Sequence, residues 1–384
     1  VSGAKGVVLL GATGSIGQST LRVARSLPEK MLLVGLSAHH DAAALGEAAH
    51  EFSPAAVCLS SPAESLSALE LPQGCRHCPG PEGLVELATL PEADLVLIAI
   101  VGTAGLQPAL AAIEAGKDIA VASKEILVMA GSIVMEAAKR KGVRVLPVDS
   151  EHNAIFQCLE GRSAAEVRRL LLTCSGGPIR DIPVAEFSRV TPEMALRHPT
   201  WQMGQKISVD SATLFNKGLE MIEARWLFDV GMERIEAVIH PQSIVHSMVE
   251  FVDGSVMAQM SHADMAFPIQ FAITYPERVT GTLPPLDFAA LGSLEFSAPR
   301  EEDFPSLKMA REAGLRGGTL PAVLNAANEV AVAAFLKGQL SFPGIWELVR
   351  GTMDSAPFLK EPGLEEILHA DEEARRIAAR KISP

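Results

Sequence analysis

Val7-Val8-Leu9-Leu10-Gly11-Ala12-Thr13-Gly14-Ser15-Ile16-Gly17 is the stretch on which the reading of this 384-residue chain turns. A short apolar run ends in a G-x-x-G-x-x-G turn and passes into an Ala-rich helical stretch, residues 16–27. Glycines at a strand-to-helix turn let backbone N–H groups approach a pyrophosphate at the helix N-terminus, so this turn is expected to hold a dinucleotide. An ordinary tight turn would carry the same glycines, and the pattern around it has to decide. Met31 to Leu36, Ala55 to Leu59, Asp94 to Val101, Ile119 to Ala122 and Val143 to Val148 repeat the apolar run, with helical stretches such as 104–115 and 125–140 between them. That alternation predicts an α/β fold: a Rossmann-type, doubly wound parallel sheet with helices on both faces.

Where NAD-preferring sheets end their second strand with an acid, about twenty residues past the glycines, this chain reads Ser37-Ala38-His39-His40-Asp41. No acid directly ends the strand, which leans toward NADP; His39 and His40 are either its contacts or exposed loop histidines. Ala122-Ser123-Lys124-Glu125 follows the fifth run on the same carboxyl edge, which puts Lys124 within reach of the nicotinamide end or makes it a plain helix start.

The next informative stretch is Pro147-Val148-Asp149-Ser150-Glu151-His152-Asn153. If the backbone stays extended past the strand, Asp149 and Glu151 project to one side and share a small space. Two carboxylates so placed require either a retained proton or a cation between them.

Beyond Asn153 the pattern changes to a central α+β region. Residues 154–159 read as helix and 168–173 as strand, followed by Cys174-Ser175-Gly176-Gly177-Pro178, a turn suited equally to an anion or to nothing. His198-Pro199-Thr200-Trp201-Gln202-Met203-Gly204-Gln205-Lys206 lies in an expected loop, 186–208, long enough to act as a lid. In Asp210-Ser211-Ala212-Thr213-Leu214-Phe215-Asn216-Lys217-Gly218-Leu219-Glu220, the residues Phe215, Leu219, Ile222 and Trp226 form one apolar helical stripe. Asn216, Lys217 and Glu220 cluster on a neighbouring face, where a solvated Lys217–Glu220 pair is the plain reading. Gly218 argues against it, since a mid-helix glycine costs about 1 kcal/mol relative to Ala and often marks close approach by something else. Residues 235–261 read as a hairpin around Asp253-Gly254, with His240 and His246 nearby as structural histidines or substrate contacts. After a Pro-, Gly- and acid-rich stretch, four helices are expected from Leu307 to Ile382, including Asn325-Ala326-Ala327-Asn328-Glu329.

A formal charge of −13 argues against a nucleic-acid or membrane-surface role, so any phosphate ligand must be met by local donors. Mean hydropathy of +0.22 with 48% hydrophobic residues describes a well-packed chain, and the longest apolar run is far too short to cross a bilayer. A cytoplasmic location is expected, although the chain does not open with Met and a removed targeting peptide stays open. Five cysteines without a secretory signal do not suggest disulfides. Cys75-x-x-Cys78, with His77 between, is half a zinc site at most and otherwise a reduced surface loop.

Taken together, the glycine turn, Pro147 to Gln157, Ile207 to Thr213, Asn216 to Glu220 and His240-Pro241-Gln242-Ser243 resemble the 1-deoxy-D-xylulose 5-phosphate reductoisomerase family, over nearly the whole chain. The resemblance implies NADPH-dependent rearrangement and reduction of a phosphorylated sugar, with Mg, Mn or Co, in a homodimer. It implies metal ligands at Asp149, Glu151 and Glu220. Substrate contacts fall on Ser150, Glu151, Ser175, His198, Trp201, Met203, Ser211, Asn216, Lys217 and Glu220, with Asp149, Glu151, Glu220, Lys124 and His198 also assigned to catalysis. Cofactor contacts fall on Thr13, Gly14, Ser15, Ile16, Ala122, Ser123, Lys124, Glu125 and Gly204, together with His39, His40 and Asp41, where the family usually has Gly, Lys or Arg, and Asn. The domain division expected is 1–149 for cofactor, 150–275 for catalysis, 276–305 as linker and 306–384 as a C-terminal helical domain. Two rivals are a semialdehyde dehydrogenase using Cys174 as nucleophile and a non-catalytic dinucleotide sensor.

Overall fold

The computed structural model describes residues 3–61, 69–201 and 203–382; Gln202 of the expected lid lies outside them. The chain forms two compact units, one of residues 1–126, 134–153 and 264–284, the other of residues 127–133, 154–263 and 285–384.

The first unit is built on a seven-stranded sheet: β1 (Lys5–Leu10), β2 (Met31–Ala38), β3 (Ala56–Leu59), β4 (Arg76–His77), β5 (Leu95–Ile98), β6 (Asp118–Val121) and β7 (Val145–Pro147). Its order is β4-β3-β2-β1-β5-β6-β7, and every pair is parallel. The expected β-α alternation is therefore present, and the strand order reverses between β1 and β5, directly at the glycine turn. Val7 to Leu10 and Leu95 to Ile98 are almost wholly buried, as strands covered on both faces must be. Pro147 lacks an N–H and is tolerated because β7 is an edge strand. The strand β4 was not expected: it occupies the Cys75–Cys78 stretch. No metal-holding group forms there among the described residues, and Cys78 is buried rather than part of a surface loop.

The second unit carries a four-stranded mixed sheet in the order β11-β10-β8-β9, with β8 (Val167–Cys174), β9 (Ile235–Ile239), β10 (Val245–Phe251) and β11 (Val256–Met260). The hairpin expected around Asp253-Gly254 is β10–β11, turned by Gly254 at φ +86°. Helices Gln205–Thr213 and Phe215–Phe228 pack with the C-terminal helices Ser306–Arg316, Leu320–Leu336, Phe342–Ser355 and Leu364–Ile382 around one apolar core. The expected loop 186–208 is mostly not loop. A 3₁₀ turn at Val184–Arg189 and a short helix at Pro192–Ala195 bury Phe187, Val190 and Ala195, so packing claims this stretch and leaves 197–201 irregular.

Candidate active site

In the first unit the three glycines of the turn do different jobs. Gly11 has φ +96°, and a Cβ there would lie 2.5 Å from the Ala99 carbonyl oxygen. A Cβ on Gly17 would lie 2.2 Å from the Gly11 carbonyl oxygen, so this glycine lets the helix sit on the turn. At Gly14 the nearest atom would be 3.6 Å away, an ordinary contact. Packing does not demand glycine at this third position. Gly14 and Ser15 are exposed at the start of helix Ser15–Ser26, no side chain caps that helix, and Thr13 and Ile16 flank it half-buried. An uncapped helix start of this kind offers backbone N–H groups to an anion.

The end of β2 is fastened to that turn. Gly11 N–H donates to Ser37 Oγ at 3.0 Å, and Ala12 N–H to the Ser37 carbonyl at 2.7 Å. Just beyond, His39 Nδ1 lies 3.1 Å from Ser60 Oγ and its ring meets the His40 ring edge-on at 5.5 Å, both imidazoles being exposed. The carboxylate of Asp41 accepts the Ala44 N–H at 3.0 Å as the cap of helix Ala42–Phe52. The single acid of this loop thus serves a helix N-terminus, where side-chain caps contribute about 0.5–2 kcal/mol.

At the end of β6, Ala122 is half-exposed, the Ser123 hydroxyl donates to the Ile100 carbonyl, and Lys124 and Glu125 are buried. Lys124 Nζ lies 2.6 Å from Asp149 Oδ2, so a residue expected at the cofactor and one expected at the metal are brought together. The extended geometry expected for Asp149 and Glu151 is not what forms. Helix Ser150–Leu159 begins just past β7; Asn153 N–H donates to the Asp149 carbonyl at 2.8 Å, which places Asp149 at the helix entrance and Glu151 in its first turn. Acids and a serine at a helix start win over continued strand because they satisfy amides and the positive end of the dipole. Ser150 Oγ donates to Glu151 Oε2 at 2.6 Å, and Asn153 Nδ2 holds the Pro147 and Pro268 carbonyls at 3.0 and 3.3 Å.

In the second unit, Gly176 and Gly177 take φ +82° and +71°, and a Cβ on Gly177 would lie 2.5 Å from the Ser211 carbonyl oxygen. The Ser-Gly-Gly turn therefore lies directly on helix Gln205–Thr213 and brings the neighbourhoods of Ser175 and Ser211 together. Ser175 Oγ accepts the Gly177 N–H at 3.1 Å and lies 2.9 Å from His198 Nε2. His198 Nδ1 accepts the Trp201 N–H at 3.0 Å, which in a neutral imidazole puts the proton on Nε2 as a donor to Ser175. With both lone pairs of its oxygen engaged, Ser175 has its own proton to give to an anionic ligand.

Between helices Gln205–Thr213 and Phe215–Phe228 stands Leu214 at φ +64°, a left-handed leucine whose backbone strain is of order 1–3 kcal/mol. It turns the chain so that Ser211 and the Asn216-Lys217 pair flank one corner. Asn216 Nδ2 donates to Glu220 Oε1 at 2.5 Å, and Lys217 pairs with Glu220 Oε2. Lys217 is 2% and Glu220 1% exposed, so the solvated pair of the plain reading is overturned. The close approach expected at Gly218 is present: a Cβ there would lie 2.7 Å from Ala310 Cβ, and the close neighbour is helix Ser306–Arg316.

Trp201 is half-buried, its ring 6.3 Å from that of His246, and Thr200 Oγ1 lies 3.4 Å from Ser243 Oγ. Met203 is half-buried and Gly204 opens helix Gln205–Thr213. His240 is fully buried; its Nε2 accepts the Ile244 and Val245 N–H groups at 3.1 Å, leaving Nδ1–H for the Glu295 carbonyl at 2.9 Å, a structural role. His246 Nε2 lies 3.2 Å from the Ser261 carbonyl oxygen. The Cys174 thiol donates to the Val238 carbonyl at 3.7 Å. Among the buried titratable groups given no role from sequence are His152 at 0% and Glu223 at 1% exposure. Glu223 stands one turn beyond Glu220 on the same helix, and that three-residue spacing was the available signal.

Comparison with known proteins identifies the family. Models of 1-deoxy-D-xylulose 5-phosphate reductoisomerase match residues 7–131, and models of its C-terminal domain match residues 145–228 and 260–377. The 1-deoxy-D-xylulose 5-phosphate reductoisomerase of Pelotomaculum thermopropionicum is 52% identical over 98% of each chain, and that of Symbiobacterium thermophilum is 53% identical over 97% of this chain and 98% of its own. The solved enzyme from Zymomonas mobilis in complex with NADPH superimposes with a TM-score of 0.91 at 42% identity, covering 99% of both chains. A DOX-P reductoisomerase in complex with NADPH, fosmidomycin and magnesium gives 0.92 at 42% identity, covering 98% of both. The chain belongs to the 1-deoxy-D-xylulose 5-phosphate reductoisomerase family.

Proposed function

We propose that this protein is an NADPH- and divalent-metal-dependent enzyme that converts 1-deoxy-D-xylulose 5-phosphate to 2-C-methyl-D-erythritol 4-phosphate, a step of non-mevalonate isoprenoid precursor synthesis. The observation that carries the reading is the match to this family along nearly the full length of the chain, at about half the residues identical to relatives such as that of Pelotomaculum thermopropionicum. The dehydrogenase and sensor readings have no comparable support.

Residue roles follow the chemistry of each group. Thr13, Gly14, Ser15 and Ile16 hold the pyrophosphate, and Ala122, Ser123, Lys124, Glu125 and Gly204 line the rest of the dinucleotide. Ser175, Ser211, Asn216 and Lys217 receive the substrate phosphate: a hydroxyl with a proton to give, a second hydroxyl, an amide and an ammonium are the local donors an acidic protein needs. Asp149, Glu151 and Glu220 are the metal ligands. They offer oxygen only, and Glu220 is a buried carboxylate that contacts Lys217 and Asn216, a donor set that fits a hard divalent cation. When bound, such a cation supplies Lewis acidity to a substrate oxygen. Ser150 contacts a substrate hydroxyl. His198, Trp201 and Met203 cover the substrate and exclude water.

The proposal extends to Mg, Mn or Co as the metal, to a cytoplasmic setting and to a homodimer. Among the described residues no helix is long and apolar enough to cross a membrane. The dimer reading is supported by β11, an edge strand that exposes Val256 and Met257. The deciding experiment follows NADPH absorbance with the deoxyxylulose phosphate and Mg. Turnover that is abolished by EDTA and survives iodoacetamide supports the reading; absence of turnover with every metal refutes it.

A further inference from the structure

The Asn325–Glu329 motif has no part in the roles above, yet it reaches the helix that carries Ser211. Asp210, the neighbour of Ser211, is 1% exposed. Its Oδ2 is 2.5 Å from Lys206 Nζ, one turn earlier on the same helix, and its Oδ1 accepts Asn328 Nδ2 at 2.8 Å from helix Leu320–Leu336. Asn328 is itself fully buried. A Lys placed four residues before an acid has the less favourable orientation for helix stability, and a surface pair of this type contributes only about 0.3–0.5 kcal/mol. Stabilising the helix in isolation therefore does not explain a buried carboxylate here. A buried charge is retained where it is held from several sides and fixes a geometry.

A second tie stands one turn further on. The Ser306 hydroxyl donates to the Thr213 carbonyl, and Trp346 Nε1 donates to Ser306 Oγ at 3.3 Å. Helix Gln205–Thr213 is thus fastened to the C-terminal helices on both sides of Ser211, by a side chain at Asp210 and by its last backbone carbonyl at Thr213. Its other flank is the Gly177 turn, packed against the Ser211 carbonyl. Ser211 sits between these constraints and is only half-buried.

We infer that Asp210 and Asn328 are positioning residues for the substrate-phosphate site: through them the C-terminal helices set the register of helix Gln205–Thr213, and with it the placement of Ser211 against Ser175. The inference rests on the assignment of Ser175, Ser211, Asn216 and Lys217 to the phosphate. Neither Asp210 nor Asn328 touches the ligand. Their effect falls on binding of the phosphorylated substrate more than on the dinucleotide, because the assigned cofactor contacts belong to the other unit except Gly204, which lies at the opposite end of this helix.

The test uses the full-length enzyme with three variants: Asn328→Leu, which removes the donor at nearly constant volume, Asp210→Asn, which removes the charge at constant shape, and Ser211→Ala as a reference. KM for the deoxyxylulose phosphate, kcat, and NADPH affinity by fluorescence titration are measured for each. The expected result is a KM raised about tenfold or more in Asn328→Leu and Asp210→Asn, equivalent to about 1.4 kcal/mol or more, with kcat and NADPH affinity both changed less than KM. The double variant Asp210→Asn with Asn328→Leu should raise KM by less than the product of the two single effects, since Asn328→Leu removes the link that Asp210→Asn weakens from a charge-assisted to a neutral hydrogen bond. If Asn328→Leu does not fold, Asp210→Asn alone carries the same readouts. An unchanged KM in folded Asp210→Asn, or a loss shared equally by NADPH affinity and kcat, overturns the inference. Should Ser211→Ala also leave KM unchanged, the phosphate assignment itself has failed; if it raises KM while Asp210→Asn does not, only the positioning role has.

Discussion

Replacing Glu220 by Gln separates what the carboxylate does for the fold from what it does for the reaction. In EDTA, the partners at stake include Lys217 and Asn216. With Lys217 2% and Glu220 1% exposed, the pair is fully desolvated, and removing one member of such a pair costs about 3–5 kcal/mol because the other charge stays buried. Discounting for the hydrogen bond that Gln still makes to one neighbour, about 1 kcal/mol, the expected loss is roughly 2–4 kcal/mol in apo Glu220→Gln. Lys217→Met should lose a similar amount. The double variant, apolar and amide in place of two charges, should be closer to wild type than either single one. Urea unfolding at equal slopes reads these values. Adding Mg to wild type should then raise the midpoint by linkage, and the same addition to Glu220→Gln should raise it less. Single variants that each cost under about 1 kcal/mol would show the pair to be solvated, at surface-pair strength. An Mg response equal to wild type in Glu220→Gln would remove Glu220 from the metal.

Replacing both His39 and His40 by Ala should weaken NADPH binding several-fold more than NADH binding, because Asp41 is spent on its helix and no other side chain of this loop carries donors for a 2′-phosphate; equal losses for the two cofactors in a fluorescence titration would refute it. Burial pushes the Cys58 thiol up to about 12 and that of Cys78, beside Glu86, up to about 11. An unfolded thiol ionises near its ordinary value, so above about pH 9 the unfolded chain sheds protons that the folded one keeps, and stability falls by up to ~1.4 kcal/mol per pH unit for each thiol until the folded values are reached. Denaturation midpoints that stay flat from pH 9 to pH 11 would contradict this. Gly218→Ala gains about 1 kcal/mol of helix propensity but drives a methyl against Ala310. We expect a net loss of up to about 2 kcal/mol in urea, since overpacking costs about 1–3 kcal/mol; a stabilised variant would mean the two helices separate freely.

The first unit was legible because its signals are local. Strand runs, helical stretches and the glycine turn each declare themselves within about ten residues, and the β-α order then leaves few topologies. Only β4 escaped, being two residues long and sheltered in a cysteine-bearing stretch. In the second unit the signals were tertiary. Nothing in residues 186–196 shows that Phe187 is to be buried among Phe304, Phe342 and Trp346, more than a hundred residues away, so the stretch read as loop. Gly218 announced close approach correctly but could not say that the neighbour was a helix rather than a ligand.

The same distinction explains the two carboxylates at the junction of strand and helix. From sequence, Asp149 and Glu151 posed a problem of charge that an extended backbone would have made acute. The fold removes part of it locally: the chain turns into helix at Ser150, separating the two side chains, and Lys124 comes from the neighbouring βα corner to sit 2.6 Å from Asp149. A residue chosen from the cofactor edge and one chosen as a metal ligand are thereby a charged pair in one unit. Any change at Lys124 must then act on Asp149 as well. A cofactor-side substitution such as Lys124→Ala should for that reason alter metal affinity and not only hydride transfer, a coupling that neither motif suggests when read alone.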